Sequence, residues 1–275
     1  MKRHKFMKHF AILILSFLLY FSCSAPQQEQ TSEPDAVPEA ESTTLTVTKA
    51  DPAATFETAE ILEMTYTDSM FSFKIAEGDY QLGMQTPDAP ERGCANSAKG
   101  QHIHLIIDQE PYSAQYTADF PYGISDGDHY LLAFLSRSYH ESIKTPEAHL
   151  GWKVLVENNS IAAGAAEEIA EPAIFYSRPK GTYTGTANTN KVLLDFYVLN
   201  AEIGEGKYTV NADINGQSFS LDAWQPYFIE GLPMGQSTIT LTLMDPAGNA
   251  VAHPLNPVSR TITLEPDPAE QAVEQ

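Results

Sequence analysis

Residues 235–243 read Gly-Gln-Ser-Thr-Ile-Thr-Leu-Thr-Leu, an alternation of polar and apolar side chains that predicts a β-strand with one buried face. Residues 127–135, Gly-Asp-His-Tyr-Leu-Leu-Ala-Phe-Leu, form a second run that also begins at a glycine. No convincing amphipathic helix longer than two turns appears, so the sequence predicts an all-β protein. The predicted strands cover residues 70–75, 101–108, 129–136, 151–157, 192–199, 207–214, 217–221, 236–243 and 260–264.

The two halves of the chain resemble each other in pattern. Gly100-Gln-His-Ile-His aligns with Gly206-Lys-Tyr-Thr-Val, and Pro121-Tyr122 matches Pro226-Tyr227 at about the same distance downstream. Asn215-Gly216 between two strand runs predicts a tight hairpin turn. Short strands at this spacing predict two tandem immunoglobulin-like β-sandwich domains, over residues 56–157 and 189–265.

The N-terminus has the pattern of an export signal. Four basic residues precede the apolar run from Phe10 to Phe21, which is too short to span a bilayer. Leu19-Tyr20-Phe21-Ser22-Cys23 resembles the lipobox of bacterial lipoproteins. This predicts a signal peptide over residues 1–22 and acylation of Cys23, whereas an ordinary secretory signal with a chance cysteine is the alternative. Ser24 then follows the outer-membrane sorting pattern, in the periplasm or at the cell surface.

Segments of low apolar content separate the predicted domains. Residues 23–55 are rich in Pro, Glu, Ser, Thr and Gln, which predicts a disordered acidic tether. Residues 158–188 are interpreted as a linker, and residues 266–275 as an acidic tail. No later run approaches 18 apolar residues, so we expect an extracytoplasmic protein held on the membrane by its lipid alone.

Charge and motifs exclude several functions. The formal net charge of −20 repels nucleic acid, so we expect no nucleic-acid partner. The chain has no Gly-x-Ser-x-Gly elbow, no His-Glu-x-x-His and no phosphate-binding loop, which favours a binding protein over an enzyme. With Cys23 acylated, Cys94 has no partner for an intramolecular disulfide.

Five of the eight histidines fall between residues 102 and 149. His102 and His104 are two positions apart on a predicted strand, so they project from the same face. A neighbouring strand that brings His129 or His140 beside them would complete a site for Cu(II) or Zn(II), which accept neutral imidazole nitrogen. The predicted metal ligands are His102, His104 and His129. Packing of these rings without any metal or other cofactor is the alternative.

Two further binding sites are consistent with the sequence. Arg137 is a positive charge in an acidic chain and predicts bidentate hydrogen bonds to an anion, or else an ordinary ion pair. Trp224, in Trp-Gln-Pro-Tyr-Phe, belongs either to an exposed patch of a glycan-associated accessory protein or to the packed interior.

Two phrases carry a resemblance to a known family. They are residues 95–106, Ala-Asn-Ser-Ala-Lys-Gly-Gln-His-Ile-His-Leu-Ile, and residues 132–142, Leu-Ala-Phe-Leu-Ser-Arg-Ser-Tyr-His-Glu-Ser. Both resemble secreted proteins of Bacteroidota-type bacteria that carry the label phosphopeptide-binding protein. The resemblance implies a protein or anionic phosphopeptide ligand. The predicted ligand-binding residues are His102, His104, His129, Arg137, Ser138 and His140.

Overall fold

β-strands form about half of residues 44–271, which are the part of the chain that the computed structural model describes. The helical segments within this part are two 3-10 turns, Ala89–Glu91 and Pro146–Ala148, and the four-residue helices α1 (Thr186–Thr189) and α2 (Pro268–Gln271). The prediction of an all-β protein is confirmed. The strands are β1 (Thr46–Lys49), β2 (Ile61–Thr67), β3 (Met70–Ile75), β4 (His102–Ile107), β5 (Ser113–Gln115), β6 (Asp119–Pro121), β7 (Gly127–Ser136), β8 (His149–Glu157), β9 (Ser160–Glu168), β10 (Ala173–Arg178), β11 (Gly181–Thr184), β12 (Val192–Leu199), β13 (Thr209–Ile214), β14 (Gln217–Leu221), β15 (Tyr227–Glu230), β16 (Gly235–Met244) and β17 (Val258–Glu265).

The strands pair into four sheets that make two sandwiches. In the first sandwich, sheet β2-β3-β6 faces sheet β5-β4-β7-β8-β9. In the second, sheet β1-β15-β12-β10 faces sheet β11-β17-β16-β13-β14. In the first sandwich, the first, second and fifth strands form one sheet and the others form the facing sheet. In the second sandwich, β10, β12 and β15 take the corresponding places, while β1 and β11 are added at sheet edges. Both are immunoglobulin-like arrangements.

The internal repeat is confirmed by the position of its strands. β4 and β13 each pair with an edge strand of a five-stranded sheet, β5 and β14 respectively. On their other side they pair with β7 and β16, the two strands that begin at the aligned glycines. The predicted hairpin at Asn215-Gly216 joins β13 to β14, with φ of 52° and 85°. These positive φ angles are those of the tight turn that Asn-Gly favours.

A third apolar cluster joins the two sandwiches. Ile106 on β4 and Phe134 on β7 pack against Phe175 on β10 and Tyr197 on β12. These strands are therefore buried on both faces, with each core on one side and the interface on the other. The described residues belong to one compact unit.

Two predicted boundaries are wrong in part. Residues 158–188, predicted as a linker, contain β9, β10 and β11, because the Ala- and Glu-rich β9 is an exposed edge strand whose composition resembles a linker. The first sandwich thus extends beyond residue 157. Thr46–Lys49, predicted within the tether, form β1 and pair with β15 of the second sandwich.

The predicted signal peptide, the acylated Cys23 and the tether up to residue 43 lie outside the described residues, as do residues 272–275 of the predicted tail. From residue 44 to residue 271, no helix has the length and apolar character needed to cross a membrane.

Candidate metal centre

Strand β4 presents two imidazoles to the interface. Alternation along β4 directs Ile103 and Leu105 into the core of the first sandwich. His102 and His104 therefore project toward the second sandwich, on the same side as Ile106, and both are fully buried. The predicted shared face of the two histidines is confirmed.

His140 supplies the third imidazole from the turn that follows β7. Its φ of 67° is left-handed, and its backbone N–H donates to the Arg137 carbonyl at 2.9 Å. The turn brings His140 Nδ1 to 2.9 Å from His102 Nε2 and 3.4 Å from His104 Nε2. The two β4 nitrogens are 2.8 Å apart. Three nitrogens from three rings thus lie within 3.4 Å of one another.

Hydrogen bonds alone cannot satisfy this triangle of nitrogens. Each ring nitrogen either carries a proton or presents a lone pair, so at least one of three mutual contacts joins two like groups. His102 Nδ1 lies 2.8 Å from the Gly100 carbonyl, an acceptor, which places the proton of the neutral ring there and leaves Nε2 with its lone pair. A cation that accepts all three lone pairs would remove the conflict.

Burial keeps these imidazoles neutral at pH 7. Desolvation lowers the pKa of His102 to about 4, although the hydrogen bond to Gly100 opposes the shift. It also lowers the pKa of His104 and His140 well below the usual value, and the charge of Arg178 adds to the effect. Neutral imidazole is the form that binds metal ions, so protons do not compete for the site.

The spacing fits an ion bound on one side of the three nitrogens. The point equidistant from nitrogens separated by 2.8, 2.9 and 3.4 Å lies about 1.8 Å from each, less than the usual Zn–N distance of about 2.0–2.1 Å. His102 Nε2, His104 Nε2 and His140 Nδ1 would therefore be able to hold such an ion from one side.

Residues of two neighbouring segments enclose the site. The Tyr112 ring stacks on His104 with a centroid distance of 3.7 Å and an angle of 10°, and its hydroxyl lies 3.3 Å from His140 Nδ1. The Tyr112 ring therefore packs against two of the three imidazoles and helps to fix their orientation. Ser177 of β10 lies 3.2 Å from His104 Nδ1 and supports that ring from the second sandwich.

His129 does not join the cluster, and its prediction as a metal ligand is wrong. Its Nδ1 lies 2.7 Å from Asp108 Oδ2, and its Nε2 lies 3.0 Å from the Ser125 carbonyl. His129 lies near the start of β7, before the residues 131–136 that pair with β4. Its register partner is Val154 of β8. The alternative that the sequence left open, His140, takes its place.

Arg137 and Ser138 serve the structure of the turn. Arg137 donates to the carbonyls of Ala54 and Ser142 and lies 3.4 Å from the Glu141 carboxylate. Ser138 exchanges hydrogen bonds with Thr86, through its backbone N–H and its hydroxyl, and is fully buried. Of the residues that the resemblance implied for an anionic ligand, these two are already partnered within the protein.

Trp224 is partly buried and packs against the protein rather than standing on an exposed platform. Its ring meets Tyr197 edge-on at 5.1 Å and packs against both the second core and the interface cluster. The exposed large apolar side chains of residues 44–271 are Leu62, Met70, Met84 and Met234, none of which is aromatic. The flat aromatic surface expected of a glycan-binding module is therefore not seen in this part of the chain.

Comparison with known proteins gives only distant structural matches. No family model matches the chain, and no curated protein does. The fibronectin(III)-like modules of Clostridium thermocellum CbhA match with 13% identity and a TM-score of 0.27, over 34% of this chain and 98% of theirs.

Two solved structures from Bacteroides cover more of the chain. The extracellular domain of a putative hybrid two-component system from B. thetaiotaomicron shares 10% identity, with a TM-score of 0.27, over 76% of this chain and 38% of its own. A surface glycan-binding protein, SGBP-B of the B. ovatus mixed-linkage glucan utilization locus, shares 10% identity, with a TM-score of 0.21, over 81% and 71%. Likeness at this level carries no functional argument.

Proposed function

We propose that this protein binds a transition-metal ion, Cu(II) or Zn(II), through His102 Nε2, His104 Nε2 and His140 Nδ1. The observation that supports the proposal is the approach of three imidazole nitrogens, two fully buried and one partly buried, to within 3.4 Å of one another. Imidazole suits Cu and Zn, whereas Mg and Ca prefer oxygen, and Cu(II) binds a given nitrogen site more tightly than Zn(II).

A pair of histidine variants tests the site. Metal-free protein is titrated calorimetrically with Cu(II) and Zn(II) at pH 7.5. We expect one ion per chain in the wild type, and loss of that binding in His140→Ala, because two ligands remain. His129→Ala is the matched control, since it removes an imidazole that lies on β7 outside the triangle, and it should bind like the wild type.

Two results would contradict the proposal. One is the absence of stoichiometric binding to a folded wild-type protein. The other is equal loss of binding in His129→Ala and His140→Ala, which would place the ion elsewhere. Circular dichroism and thermal unfolding of both variants establish that the sandwiches remain folded.

We also propose that this binding takes place outside the cytoplasm, on a lipoprotein anchored through Cys23 in the outer membrane. The basic N-terminus, the short apolar run and the cysteine that follows Ser22 support this. Cys23→Ala should move the protein from the membrane fraction to the soluble fraction and abolish labelling by a fatty-acid analogue. A variant that stays membrane-bound and labelled would refute the anchor.

A further inference from the structure

Three basic residues of the second sandwich have no carboxylate partner. Arg178 ends β10, Lys180 follows in the loop to β11, and Arg260 lies on β17. None of the three is within ion-pair distance of an Asp or Glu among the residues described. This is unexpected in a chain with 36 acidic and 16 basic residues.

The three charges lie close together. Burial, followed by the charges of Arg178 and Arg260, lowers the pKa of Lys180. The Lys180 amine donates to the Tyr112 carbonyl at 2.5 Å and lies 3.9 Å from the centre of that ring. Arg178 Nη1 donates to the Tyr112 hydroxyl at 2.8 Å. Tyr112 therefore holds two of the cations side by side.

Several donors of this cluster are unsatisfied. Arg178 Nε, Arg260 Nε and Arg260 Nη2 are buried and have no hydrogen-bond partner. Arg178 is only 6% exposed, so its charge is removed from water without a counter-ion. Buried donors and charges without partners are costly, and an anion that accepts from them would remove that cost.

The chemistry of the donors defines the ligand. Guanidinium groups present planar pairs of N–H donors that match the oxygens of phosphate or sulfate, and an ammonium adds a point charge. Lys180 and Arg260 are only partly buried, so the cluster borders solvent. Glu110 is the carboxylate whose charge acts on Arg260, and it is exposed without pairing to it.

We propose that Arg178, Lys180 and Arg260 form a binding site for a small tetrahedral oxyanion, of the phosphate or sulfate class. The site is separate from the three-histidine centre and goes beyond the proposed metal binding. Tyr112 lies between the two sites, since its ring stacks on His104 and its oxygen accepts from Arg178.

The test is calorimetric titration of the metal-free full chain with inorganic phosphate and, separately, with sulfate, at constant ionic strength in a chelator. We expect binding with a dissociation constant below about 1 mM, weakened about tenfold or more in Lys180→Gln and in Arg260→Gln. Lys207→Gln is the matched control, because it removes the same charge from an exposed lysine paired with Glu202.

The binding measurements on the wild type and the three variants either support or overturn the anion site. Binding that is lost in Lys180→Gln and Arg260→Gln but kept in Lys207→Gln supports the site. No binding of either anion up to about 10 mM, or equal weakening in all three variants, overturns it. Since the metal is absent throughout, either result leaves the three-histidine proposal to its own test. Circular dichroism and thermal unfolding of the variants show whether they are folded.

Discussion

Lowering the pH from 7.5 to 5.5 should barely change the affinity of the histidine centre for Zn(II). Three imidazoles with the ordinary pKa of about 6.5 would lose about 10³-fold in apparent affinity over this interval, because each must release a proton to bind. Here burial lowers the pKa of His102 to about 4, and that of His104 and His140 also falls well below the usual value. The loss expected from proton competition is therefore less than about twofold.

The assay is competition against a chelator of known affinity at both pH values, combined with calorimetry in buffers of different ionisation enthalpy. We expect close to zero protons released per Zn(II) at pH 5.5, whereas ordinary histidines would release nearly three. A fall in affinity of about 10²-fold or more, with two to three protons released, would refute the inference that the rings are held neutral.

Four further predictions concern stability and the support of the site. The metal-free protein should lose stability as the pH falls below about 6.5, by about 1.4 kcal/mol per pH unit for each neutral buried histidine, because the unfolded chain binds protons that the folded state does not. Urea unfolding at pH 7.5 and 5.5 measures this, and a free energy of unfolding that is independent of pH would contradict it. Asp195→Asn should lower the free energy of unfolding by about 3–5 kcal/mol, because Asp195 is fully buried and the substitution leaves Lys144 without a counter-charge. The exposed control Glu202→Gln should lower it by less than about 1 kcal/mol, and similar values for both variants would refute the argument. Gly100→Ala should destabilise the protein and weaken metal binding, because φ is +85° and a Cβ would lie 2.4 Å from the Gly83 carbonyl oxygen; unchanged affinity would show that the start of β4 tolerates the shift. Phe134→Ala should cost about 3–5 kcal/mol by opening a cavity between the sandwiches, and a cost below about 1 kcal/mol in thermal or urea unfolding would show that the interface closes around the gap.

Strands with a simple period were predictable from the sequence. Residues 70–75, 192–199 and 217–221 are strands over the predicted ranges, because alternation or an unbroken apolar run bounded by turn residues defines them locally. β9 was not, because an exposed edge strand need not contain large apolar residues. β1 does carry a local signal, the alternation Thr-Leu-Thr-Val-Thr of residues 44–48, but the polar composition of residues 23–55 as a whole led to the prediction of a tether. Its pairing partner β15 lies in the other half of the chain.

Of the candidate site, only the part that lies on one strand, β4, was predictable from the sequence. The spacing of His102 and His104 fixed their common face, which needs no knowledge of the fold. Choosing between His129 and His140 required the path of the turn after β7, where a left-handed residue reverses the chain. Tyr112, Ser177 and Arg178 depend on how the outer faces of two sandwiches meet, and no periodicity records that contact.

The pairing of β1 with β15 also sets the order in which the protein can be completed. Thr46 pairs with Glu230, so β1, the first strand of the described residues, has no pairing partner until synthesis has passed residue 230. Contacts between such distant segments require a long loop to close, which slows folding. Until β15 is made, the backbone N–H and C=O groups of β1 lack their sheet partners, as at any open sheet edge, and a chaperone that binds extended segments could bind β1.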